Sequence, residues 1–227
     1  MMFERLKRVL APRTARAEMM RADAVSEWAG KHGFSYSSQG KDKGLVLSGK
    51  IRGKPWKLES GPSSRDYIRG EELRARAELG AEGDISVLLM NRPLKETLEK
   101  RAYAIYTDTL QTIADPSLPE EMRWLAMYEE FGWSSLVPDF WERYTVLADQ
   151  RGHALAWINS NLAEQLLHWP QPGVDAQTPF ILMLLRGKAY LRMQYSPGDI
   201  ATLQHAAVIF TSACEVALAG AKPDISL

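Results

Sequence analysis

Between Phe34 and Met90 the apolar residues stop recurring every three or four positions and begin to alternate. That change is the strongest constraint on the fold. Alternation sends successive side chains to opposite faces of a strand, whereas helical spacing builds a single stripe. Phe34-Ser35-Tyr36 reads as a short strand, and Gly44 to Ile51 and Lys54 to Glu59 as two more joined by a tight Arg52-Gly53 turn. Pro55 has no amide hydrogen, so it belongs at a sheet edge or at the start of a strand. Leu73, Ala75, Ala77 and Leu79 alternate with Arg74, Arg76 and Glu78, which predicts a strand with one apolar and one charged face. Ile85 to Met90 is almost wholly apolar, the pattern of a strand covered on both sides. Strands this close together, with short turns between them, imply an antiparallel sheet.

Helical spacing flanks this region. Ala17, Met20, Ala24 and Trp28 share one face of a helix expected from Thr14 to Ala29, ended by Gly30 and Gly33. After Pro93, Leu94 and Leu98 open another. Glu120 and Glu121 favour the positive end of a helix whose stripe is Trp124, Leu125, Tyr128 and Phe131. Gly152 to Trp169 reads as one amphipathic helix, and Asp199 as the cap of a last helix running to about Ala219. Between these two, Phe180 to Leu185 and Lys188 to Tyr195 form a hairpin across Arg186-Gly187. Asp139 is read as the cap of a short turn, and Tyr144 to Leu147 as a further short strand.

The expected fold class is therefore α+β, an antiparallel or mixed sheet of about five to seven short strands with amphipathic helices packed on it. Two sub-regions are expected, residues 14–114 with the first helix and the sheet, and 115–227 with more helix and one hairpin. They are read as one compact unit, preceded by a basic helix or tail over 1–13. The Asp115–Pro119 stretch is the clearest linker. Charge divides close to this boundary. Residues 1–101 carry a net +7 and residues 102–227 a net −7, so either the first part meets an anionic partner or the two halves attract one another.

Several function classes are excluded or left without support. A single cysteine, Cys214, rules out a disulfide scaffold. The apolar run Ile181–Leu185 is stopped by Arg186, far short of the roughly 20 residues a membrane span needs. Arg5, Lys7, Arg8, Arg13 and Arg16 leave no room for a signal-peptide core, so a cytoplasmic location and no integral membrane span are expected. No phosphate-binding glycine loop, dinucleotide fingerprint, nucleophile elbow or S-x-x-K is present. His32, His153, His168 and His205 are scattered without metal-ligand spacing, so no metal and no cofactor are expected. His168 at a helix end suits the dipole there, and Cys214 reads as a small buried apolar residue.

Two stretches stand out as candidate sites. The loop from Ser60 to Tyr67 gathers hydroxyls and a guanidinium, and Ser63, Ser64, Arg65 and Tyr67 are the residues that would bind a carboxylate or phosphate. The competing reading is a solvated connection in which Arg65 or Arg69 pairs with Glu59, Glu71 or Glu72. The second stretch is Phe131, Trp133, Phe140 and Trp141, either plugged into a cleft or exposed as the interface of a homodimer or with another partner. Lys41, Lys43, Lys50, Arg52, Lys54 and Lys57 surround Trp56, but Trp56 and Lys57 must face opposite ways, so nucleic acid is not the expected partner. Phe3, Leu6 and Leu10 beside basic residues could lie on an anionic membrane surface. The expected role is a non-catalytic binding or interaction module. The alternatives are an enzyme or small-anion binder using the 60–67 loop, and peripheral membrane attachment.

Overall fold

The computed structural model describes residues 13–38, 44–80, 84–108, 120–171 and 173–220. The expected basic segment 1–13, all but Arg13, and the Asp115–Pro119 linker lie outside them. The chain runs α1 (Arg13–Lys31), β1 (Ser35–Ser38), β2 (Leu45–Ile51), β3 (Lys54–Pro62), β4 (Glu71–Glu78) and β5 (Ser86–Asn91). It continues α2 (Arg92–Asp108), α3 (Glu120–Met127), β6 (Glu129–Phe131), α4 (Pro138–Arg143) and β7 (Tyr144–Ala148). It closes with α5 (Arg151–Trp157), α6 (Ser160–Leu167), β8 (Phe180–Leu185), β9 (Lys188–Tyr195) and α7 (Ile200–Gly220).

The fold is α+β, with one antiparallel sheet in the order β1-β2-β3-β4-β9-β8-β5-β7-β6. Its nine strands exceed the expected five to seven. The excess comes partly from β6, where helical spacing carries on from Trp124 to Phe131 but pairing with Val146, Leu147 and Ala148 wins over a helix extended past Met127. A second correction concerns Gly152 to Trp169. The stripe is continuous, yet Ile158 leaves helical geometry and Asn159 accepts from the Leu162 amide at 2.9 Å, starting a separate helix. At the start of α4, Val137 is the flanking residue and Pro138 takes the first turn, so Asp139 lies within the helix rather than capping it.

Both hairpin turns hold an Arg-Gly pair with positive φ, 49° and 82° at Arg52-Gly53 and 47° and 73° at Arg186-Gly187. This is the twist that two-residue hairpins require, and arginine accepts it where asparagine is usual. The strands then differ in how they are covered. On one face a continuous core joins α1, α4, α5, α6 and α7 to the whole sheet through Trp56, Leu73, Val146, Leu182 and Phe210. On the other face a smaller core of Leu94, Leu98, Met122, Trp124, Leu88 and Ile181 lies beneath α2, α3 and the loop residues Tyr67 and Ile68. Strands β5 and β7 are accordingly buried at every residue, while β4 and β9 alternate. Among the described residues, no helix lies over the polar face of β3, β4 and β9.

Helix α7 is long and apolar enough to cross a membrane by length and composition alone. Its Thr, Ser, Gln and His residues and one charge, Glu215, interrupt the apolar run, which is why counting consecutive apolar residues passes it over. Here Leu203, Ala207, Phe210 and Cys214 pack against the sheet, and Trp157 Nε1 donates to the Ala213 carbonyl at 2.9 Å.

Candidate functional site

The uncovered face carries the charged half of each alternating strand. Arg74 on β4 lies directly opposite Arg192 on β9, and Arg76 opposite Tyr190. Like charges across a strand pair repel unless each finds a counter-charge. Arg192 Nη1 turns diagonally to Glu72 Oε1 at 2.5 Å, and Arg74 Nη2 turns the other way to Glu59 Oε1 at 3.4 Å. Arg76 sits over the Tyr190 ring, its Cζ 6.0 Å from the centroid, and also pairs with Glu78. Glu59 serves Lys57 at 2.5 Å as well as Arg74, and Glu78 serves Lys188 at 3.8 Å as well as Arg76. Glu72, by contrast, lies opposite Gly61 and is fully enclosed. The result is a trough of about 560 Å³ over β3, β4 and β9, in which two carboxylates are shared among more cations.

The loop residues lie at the end of this trough. Ser60 belongs to β3 and is buried, its Oγ accepting from the Leu45 amide at 3.1 Å. Ser63, Ser64, Arg65 and Tyr67 do come together, around two buried carboxylates. Ser64 gives its backbone N–H and its Oγ–H to Glu72 Oε2, at 2.9 and 3.1 Å, while its Oγ accepts from Arg192 at 2.7 Å. Ser63 Oγ donates to the Arg65 carbonyl at 2.7 Å. Arg65 Nε and Tyr67 Oη–H both donate to Glu121 Oε1, at 2.8 and 3.1 Å. Arg65 therefore finds its acid on α3 and not among Glu59, Glu71 or Glu72. Burial works against the Arg65 charge, but Glu121 outweighs it and holds the guanidinium above its ordinary pKa. Burial, followed by the Glu121 charge, pushes the Tyr67 phenol well up. Both groups keep their neutral-pH charge state, which suits positioning and not proton transfer.

Glu121 and Arg192 complete this cluster and were not legible as partners. Glu121 reads from sequence as a helix-start carboxylate, and nothing local links it to a residue 56 positions earlier. Pairs such as Arg65–Glu121, Arg92–Glu130 and Lys95–Glu130 join the basic half to the acidic half.

The aromatic stretch is largely turned inward. Phe140 is fully buried and Trp133 is 9% exposed. Trp141 is half-buried, packs edge-on to Trp133 at 4.9 Å and donates its Nε1–H to the Trp133 carbonyl. Phe131 is half-buried in β6. Among the described residues no group of three His, Cys, Asp or Glu side chains is placed to hold a metal. His168 Nδ1 lies 2.8 Å from the Glu164 carbonyl at the end of α6, and burial pushes the Cys214 thiol up. Compared with known proteins, the chain matches no protein-family model, and no curated protein or solved structure is significantly similar to it.

Proposed function

We propose that this protein is a non-catalytic binding module and that its partner is an acidic protein segment lying in the trough over β3, β4 and β9. One observation carries the reading. The trough floor is an uncovered sheet face on which each of two carboxylates, Glu59 and Glu78, is divided between two cations. Such cations are incompletely neutralised, and a carboxylate from outside supplies what the floor lacks. The face is also built to keep its shape. Arg192 is fixed by Glu72 and Ser64, and Tyr190 lies beneath the Arg76 guanidinium. Pre-fixed side chains lose little freedom on binding, so their contacts count more.

The test is fluorescence anisotropy with labelled oligo-glutamate and oligo-lysine peptides. Oligo-glutamate binds and weakens as salt rises, because exposed charge pairs are screened within about 10 Å at 0.1 M salt. Equal binding of both peptides, or of neither, contradicts the proposal.

A further inference from the structure

A second cavity, of about 480 Å³, lies between α3 and the β8–β9 hairpin and adjoins the trough, sharing Met183, Tyr190 and Arg192 with it. Its composition is unusual in two respects. Arg123 has no ion-pair or hydrogen-bond partner among the described residues, and its Nε is buried and unpartnered. Glu121, which is 1% exposed, uses only Oε1 for Arg65 and Tyr67, and its Oε2 is buried without a partner. Buried polar atoms without partners are rare in native proteins because each forfeits its hydration without a replacement bond. Here one orphan is a donor, the other an acceptor, and both residues line the same cavity.

The helix separates them usefully. Glu121, Trp124 and Tyr128 recur at helical spacing and form one stripe of α3 and its end, while Arg123 and Met127 form the neighbouring stripe. Met127 is 62% exposed, which marks the second stripe as the rim, and Trp124 is buried, which marks the first as the wall. Arg186 and Lys188, from the hairpin turn and β9, add cations to the lining, and Tyr190 adds a third aromatic ring. The complement is a ligand with an anionic group at the rim, a flat ring against the aromatic wall and an N–H directed at Glu121.

We infer that this cavity binds a nucleoside monophosphate, a site separate from the acidic-segment surface proposed above. The phosphate meets the Arg123 guanidinium at the rim, with Arg186 and Lys188 nearby. The base lies against Trp124 and Tyr128 and gives an N–H to Glu121 Oε2. A volume of about 480 Å³ falls within the usual range for small-molecule sites.

The experiment is isothermal titration of the full chain with adenosine, guanosine, cytidine and uridine monophosphates, with inorganic phosphate and the free nucleosides as half-ligands. At least one monophosphate binds about tenfold or more tightly than either of its halves. Arg123→Ala, at a half-buried side chain with no partner to strand, weakens that binding about tenfold or more. Glu121→Gln, which retains size and one acceptor, weakens the monophosphate more than it weakens inorganic phosphate. Arg74→Ala with Arg76→Ala leaves nucleotide binding unchanged while reducing oligo-glutamate binding, so the two proposals fail separately. Absence of binding by all four monophosphates at millimolar concentration overturns the inference. So does phosphate binding as tightly as the nucleotides, an unaffected Arg123→Ala variant, or loss of nucleotide binding in the Arg74/Arg76 double variant.

Discussion

Arg192 Nη1 meets Glu72 Oε1 at 2.5 Å, and the glutamate is fully enclosed while the arginine side chain remains 18% exposed. The pair is diagonal, because the register sets Glu72 opposite Gln194 and Arg192 opposite Arg74. Glu72 thus resolves a like-charge pair, fixes the 63–70 loop through Ser64, and holds Arg192 at the boundary between trough and cavity.

Glu72→Ala removes the counter-charge of Arg192 and the acceptor of the Ser64 amide together. Breaking an enclosed pair from one side costs about 3–5 kcal/mol. Urea unfolding of the variant gives a midpoint lowered accordingly, and Glu72→Gln, which keeps an acceptor, loses less. An unchanged midpoint for Glu72→Ala contradicts the role assigned to the pair.

Tyr67→Phe deletes one of the two hydrogen bonds to Glu121 Oε1 and leaves the ring in place. A buried bond to a charged acceptor is worth about 1.5–3 kcal/mol. The expected outcome is a loss of that size in chemical denaturation, with the far-UV circular dichroism spectrum unaltered.

Asn159→Ala tests the division between α5 and α6. Losing the side-chain acceptor of the Leu162 amide costs about 1 kcal/mol. Were residues 152–169 one helix, alanine would raise stability at this position.

Burial holds the His205 imidazole below its ordinary pKa, with His168 acting in the same direction and the Gln165 carbonyl opposing them. The folded state therefore favours neutral His205, and the unfolded chain takes up protons first, at about pH 6.5. This contribution to stability is complete above that pH and is lost as pH falls towards the folded value. Urea midpoints compared at about pH 7.5 and about pH 5.5 fall more steeply for the wild type than for His205→Gln. Parallel slopes count against the assignment.

Much of the fold is legible where one local pattern decides it. Alternation in Leu73–Leu79 fixes which face of β4 is charged, and the apolar run before Asn91 marks a strand covered on both sides. The Arg-Gly turns announce both hairpins. Legibility fails where tertiary pairing competes with local spacing, as at Glu129–Phe131, or where one capping side chain divides a continuous stripe, as at Asn159. For the candidate site, composition points to Ser63, Ser64, Arg65 and Tyr67 as a group. The acids that organise them arrive from β4 and α3, and the second arginine lies 120 positions beyond Glu72. No local signal carries a pairing at that separation; only strand order supplies it.

The central claim is that the uncovered face of β3, β4 and β9 selects an acidic partner by charge. Reversing that charge tests it most directly, because Arg74 and Arg76 point outward and their loss leaves both cores intact. Anisotropy titrations of wild type and an Arg74→Glu, Arg76→Glu variant, with matched oligo-glutamate and oligo-lysine peptides, supply the comparison. The wild type is expected to bind oligo-glutamate, and the folded variant to exchange this preference for oligo-lysine. A variant that remains folded and keeps the wild-type preference would contradict it.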